Sequence, residues 1–123
     1  MTENGALSPE LASIADFLSH TLPFNALPKG EVERIVHEME IGYFRNGHVF
    51  DENTRDQGLR ILRSGAVEIR SQDGELLDRL AEGESFALSG LLQQEPGVRA
   101  VLIEDSLIYF LPQKAYQELR SRF

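Results

Sequence analysis

Side chains able to do chemistry are few in this sequence, and they stand apart from one another. His20, His37 and His48 form no His-x-His pair and have no carboxylate at metal-ligand spacing, so a cupin-type metal site lacks its ligands. They read as surface or capping histidines. Ser64 and Ser89 each precede a glycine, but neither has the flanks of a nucleophile elbow or a His/Asp pair to activate it. Glu82 and Glu84 could form a carboxylate pair, yet both fall in a polar turn. No glycine-rich loop with its lysine is available to cradle a phosphate. Cysteine is absent, which removes disulfides, thiol catalysis and Cys-bound zinc. The expectation is no catalytic residue, no metal, no cofactor and no turnover.

Arg60, Arg63, Arg70 and Arg79 are the densest run of arginines, and they alternate with apolar and acidic residues. They read as solvated strand faces. Twenty acidic against twelve basic side chains give a net charge of −8, a surface that repels phosphate backbones, so nucleic acid is not an expected partner. No segment approaches the ~18 consecutive apolar residues of a membrane span. The polar, acidic stretch from Met1 to Leu7 has no basic or apolar region of a secretory signal. A cytoplasmic protein without a membrane partner is expected.

The elements that would position these residues follow from periodicity and punctuation. Ser8-Pro9-Glu10 predicts a helix start, with a serine cap, proline in the first turn and an acid near the positive dipole end. Leu11, Ile14, Ala15 and Leu18 follow at helical spacing. Pro23 and Pro28 bracket a turn carrying Phe24 and Leu27, and a second helix is predicted from about Lys29 to Glu38. From Met39 the period changes to two. Asn46-Gly47, Ser64-Gly65, Asp73-Gly74 and Gly83 then punctuate a series of short strands, the last being Val98 to Ile103 and Leu107 to Leu111. Pro112 opens a terminal helix bearing Tyr116, Leu119 and Phe123. The pattern is mainly β: a small antiparallel sandwich or barrel over about 39–111, with two helices before it and one after. A length of 123 residues fits one domain.

The order of the turns resembles the cyclic-nucleotide-binding domain family, the eight-stranded jelly roll of bacterial catabolite-type regulators, kinase regulatory subunits and gated channels. The resemblance is carried by Gly47, the run Leu59 to Val67, Asp73-Gly74, Gly83-Glu84-Ser85-Phe86 and Glu104-Asp105-Ser106-Leu107, and spans about Phe17 to Phe123. Phe17-Leu18, Pro23-Phe24, Leu27-Pro28 and Leu107 to Pro112 further resemble bacterial multidomain signal-transduction proteins, in which such a domain precedes CBS and nucleotidyltransferase-like domains. That likeness implies a fragment of a longer protein, whose downstream domains would be partners.

In family members that bind nucleotide, a short helix carries phenylalanine-glycine-glutamate. Its backbone N–H groups meet the cyclic phosphate, its glutamate accepts from the ribose hydroxyl, and a later arginine pairs with the phosphate. The matching positions here are Phe86, Ala87, Leu88 and Ser89, followed by Arg99 and Ala100. Leu88 cannot accept a hydrogen bond, so the resemblance implies a cassette without its ribose anchor. Counting forward from Leu88, Arg99 lies a residue or two beyond the phosphate position. Counting back from Glu104-Asp105-Ser106, it sits at an odd offset and faces away, unless a bulge near Pro96-Gly97 turns it inward.

The resemblance thus implies a regulatory domain sensing a small anionic or nucleotide-like ligand and shifting the terminal helix toward an attached effector. Two alternatives stand beside it: a ligand-free structural or homodimerising module, and a jelly-roll metalloenzyme.

Overall fold

The computed structural model of the chain describes residues 7–21 and 24–123. The sequence readings on Met1 to Ala6 and on Pro23 lie outside these residues. The chain divides into two compact units, one ending at Met39 and the other formed by Glu40–Phe123.

The first unit contains α1 (Pro9–Ser19), a short 3-10 turn (Phe24–Ala26) and α2 (Lys29–Val36). Ser8 caps α1 as its sequence predicts, accepting from the Leu11 backbone N–H at 3.3 Å. Ile14 and Leu18 on α1, Phe24 in the turn, and Val32, Ile35 and Val36 on α2 are buried. Helix α2 stops at Val36, short of the predicted Glu38. The N–H groups of His37, Glu38 and Met39 reach back only three residues, to Arg34, Ile35 and Val36, which tightens and ends the helix.

The second unit holds eight strands: β1 (Glu40–Phe44), β2 (Val49–Phe50), β3 (Leu59–Ser64), β4 (Val67–Arg70), β5 (Leu76–Leu80), β6 (Ser85–Ala87), β7 (Arg99–Leu102) and β8 (Ser106–Leu111). Helix α3 (Leu88–Gln94) lies between β6 and β7, and α4 (Gln113–Arg122) follows β8. The strands form two four-stranded antiparallel sheets, in the orders β1-β8-β3-β6 and β2-β7-β4-β5. This is the jelly-roll arrangement expected from the turn spacing. Gly47, Gly65, Gly74 and Gly83 all have positive φ at those turns.

Between the sheets, Leu62 and Ile108 of the first meet Val67, Ile69, Ala100 and Leu102 of the second, with Phe50, Phe86 and Leu88 in the same cluster. Each fully buried large aliphatic side chain is worth about 1.5–3 kcal/mol. Strand parity follows from this core. Val67 and Ile69 face it while Glu68 and Arg70 face out, and Ala100 and Leu102 face it while Arg99 does not.

Candidate functional site

A 640 Å³ cavity opens inside the barrel where β5, β6 and α3 converge. Ile69, Leu80, Phe86, Leu91 and Val98 form its apolar wall, and Ser85, Asp78, Gln94 and Glu95 supply its polar groups. Its position follows from local rules. Ile69 pairs with Asp78 and Val67 with Leu80, so Asp78 shares the inward parity of Leu80. Leu91 lies on α3 and Glu95 is the extended residue that caps its end, its N–H donating to the Leu91 carbonyl at 2.9 Å. Two carboxylates and no lysine or arginine line the cavity.

The six positions expected to bind ligand are not gathered here. Phe86 and Ala87 line the cavity. Leu88 is fully buried in the hydrophobic core, and Ala100 is equally buried on the inner face of β7. Ser89 lies outside the lining, with its hydroxyl 3.3 Å from Gln113 Oε1. Two backbone donors at the start of α3 are also committed. Leu88 N–H donates to the Gly58 carbonyl at 3.4 Å and Ser89 N–H to the Gln57 carbonyl at 3.0 Å.

Arg99 lies on the outer face of its sheet. The β4–β7 register runs unbroken from Val67↔Leu102 to Arg70↔Arg99, so no bulge turns the side chain inward. Its guanidinium donates to the carbonyls of Ser71 and Gln72, at 3.0 and 3.3 Å, over the β4–β5 turn. Arg70 beside it is paired with Glu68, which also holds Arg79. These two arginines hold the Glu68 carboxyl below its ordinary range.

Residues 56–58 join the two helices of this unit. Asp56 Oδ1 accepts from Gly58 N–H and from Gln113 N–H, both at 2.9 Å, while Gly58 and Gln57 carry α3 through their carbonyls. A side chain at Gly58 would collide with the backbone of Leu111, Pro112 and Gln113. The start of α3 and the start of α4 therefore rest on the same three residues.

The arginine run includes one clear departure from the sequence reading. Arg60 is not on a solvated face: it is 7% exposed and turned into the barrel. It stands opposite Phe86 and Phe110 in the sheet, on the inward parity of Leu62. Since Leu59, Ile61 and Leu62 are buried too, the strand lacks the alternation that would have marked its inner face. Burial pushes the Arg60 guanidinium below the usual arginine range, and the Asp56 carboxylate opposes that shift. Among the described residues, no cluster of three or more histidines and acids is placed to hold a metal ion.

Residues 41–123 match the family described as the cyclic nucleotide-binding domain. No curated protein sequence matches the chain. Solved structures share the fold. The regulatory domain of Toxoplasma gondii PKA with cAMP has 15% identity and a TM-score of 0.71, covering 98% of this chain and 51% of that one. The sensor domain of the transcriptional regulator DNR from Pseudomonas aeruginosa has 17% identity and a TM-score of 0.78, covering 93% and 81%. The regulatory subunit of a cAMP-independent protein kinase A from Trypanosoma cruzi bound to guanosine has 16% identity and a TM-score of 0.70, covering 91% and 45%. The chain thus spans about half the length of the two kinase structures.

Proposed function

The chain belongs to the cyclic nucleotide-binding domain family, and we propose on that basis that it is a ligand-sensing regulatory domain tuned to a small molecule other than cAMP. The observation that carries this reading is the charge of the pocket: Asp78 and Glu95 line it, and no cation does. A cyclic phosphate needs a cation or free aimed N–H groups, and the two carboxylates in the lining repel it. Arg99 supports the same reading, being spent on two carbonyls outside the pocket. Carboxylates accept hydrogen bonds from hydroxyl and amino groups. Asp78 or Glu95 can therefore take over the ribose contact that Leu88 cannot make, and the ligand class that fits best is an uncharged nucleoside. The guanosine-bound kinase subunit from Trypanosoma cruzi is a precedent for this choice of ligand in the fold.

Ligand beneath Leu91 would reposition α3, and the shared support at residues 56–58 would pass the change to α4 and onward to an attached effector. In this reading the domain has no turnover of its own and works in the cytoplasm, regulating downstream domains of a longer signal-transduction protein. No described helix is long and apolar enough to cross a membrane. A collapsed pocket and a large apolar patch on α4 would favour the dimerisation alternative. The pocket is open, and Phe123, just past the end of α4, stands alone there as a large exposed apolar side chain.

Calorimetric titration of guanosine, adenosine, cAMP and cGMP into the protein tests the reading. A nucleoside is expected to bind at least about tenfold more tightly than its cyclic phosphate, the worth of one charged contact. Low-micromolar cAMP binding overturns it.

A further inference from the structure

A second cavity, of 220 Å³, lies beneath β1 and shares no residue with the pocket at α3. Ile41, Gly42, Phe44, Ile108 and Phe110 give it apolar walls, and Glu40 and Arg60 are the charged residues of its lining. Gly42 is what leaves room: a side chain there would run into the Phe44 ring.

The state of Arg60 is unusual. Its guanidinium lies 4.3 Å from the centre of the Phe110 ring and 4.7 Å from that of Phe50, and the residue as a whole is buried. Two of its N–H groups are used, donating from Nη1 to the Gly58 carbonyl at 3.3 Å and from Nη2 to the Asp56 carbonyl at 2.8 Å. A guanidinium carries five such donors. The rest find no acceptor among the described residues, and no carboxylate there lies at ion-pair distance from it. The side chain of Asp56, the nearest charge, is committed to Gly58 and Gln113. Taking a cation out of water costs several kcal/mol, which partial hydrogen bonding and ring contacts offset only in part. An anion completing the fork removes that deficit.

The chemistry of the anion follows from the walls. A carboxylate needs two parallel donors, which one guanidinium edge supplies. A phosphate has more oxygens and charge than this single cation can satisfy, and it would also meet Glu40. The remaining lining asks for an apolar body, and dry apolar cavities of about 150 Å³ already admit one benzene ring. We propose that the cavity beneath β1 is a second ligand site, which takes a small monocarboxylate with an apolar body and binds it through the open edge of Arg60.

The test uses benzoate as probe, with isobutyrate as a smaller one, titrated into the isotopically labelled protein. The expected result is a saturable shift of the Arg60 Nε–H resonance with at least one of the two acids, and none with benzamide or isobutyramide. Arg60→Met is expected to weaken benzoate binding by about tenfold or more, the loss of a charge-assisted bond, read in wild type and variant alike from the backbone amide resonances of Gly42 and Ile108. Should that variant fail to fold, the wild-type resonances decide alone. An Arg60 signal unmoved by tens of millimolar of either acid overturns the proposal. So does an equal response to the neutral amides, or a response confined to Ile69, Leu80 and Val98 in the other pocket.

Discussion

The carboxylate of Asp56 accepts from the backbone N–H of Gln113 at 2.9 Å, so the first turn of α4 is held by a residue fifty-seven positions earlier in the chain. Pro112, at the cap position of that helix, offers no side-chain acceptor. Asp56→Ala is expected to lower stability by about 1–2 kcal/mol, the value of a lost helix cap. Amide exchange at Gly58 and Gln113 should rise with it. Unchanged protection at Gln113 would show that α4 does not depend on this contact.

Two glycines predict opposite effects of one methyl group. Gly30 lies within α2 with nothing within 4 Å of an added Cβ, so Gly30→Ala should raise stability by about 0.5–1 kcal/mol. At Gly58 the same change pushes against the backbone of Leu111 and Gln113, and Gly58→Ala should cost about 1–3 kcal/mol. Denaturant titration of the two variants reads the difference.

Restoring the family's glutamate should fail. Leu88 is fully buried in the core, away from the pocket lining. Leu88→Glu places a carboxylate among apolar side chains and should cost about 3 kcal/mol or more. Titration of cAMP into any folded Leu88→Glu protein should show no gain over wild type. A gain would place this side chain in the ligand site.

Glu68 gives the barrel an acid-sensitive contact. Arg70 at 2.6 Å and Arg79 at 2.8 Å favour its ionised form and hold its folded-state value below the ordinary 4.5. A depressed value means that the contribution is fully present above the unfolded value and is lost as pH falls through the folded one. The gap in melting temperature between wild type and Glu68→Gln should therefore close as pH is lowered from about 6 to about 3. Salt should narrow it as well, since Arg79 is largely exposed. A gap independent of pH would exclude this origin.

Legibility from sequence differs sharply between frame and site. The strand breaks are visible because Gly47, Gly65, Gly74 and Gly83 occupy backbone conformations that side chains disfavour. The cap at Ser8 is visible for an equally local reason. Odd-even counting from Glu104 puts Arg99 off the core side of its strand, where the side chain lies. Asp78 was within reach of the same counting, since it shares the parity of Leu80, but a lone acid on a short strand looks solvated. Arg60 could not be found this way. With Leu59, Ile61 and Leu62 apolar on both parities, only the pairing with Phe86 and Phe110 reveals which face is inside. Helix α3 is legible as a segment, but its rotation, which buries Leu88 and turns Leu91 to the cavity, depends on carbonyls of the distant residues Gln57 and Gly58.

The strand order bears on how the protein can be made. The first strand of the barrel finds its partner in the eighth, and the second in the seventh. During synthesis, β1 and β3 must therefore wait, each with an unpaired edge, until Ser106 to Leu111 has left the ribosome. Closure then depends on loops that span most of the barrel sequence, which places the domain among the slower-folding topologies. A ribosome stalled before β8 would carry a nascent chain with its central seam open, and such a chain is suited to chaperone capture.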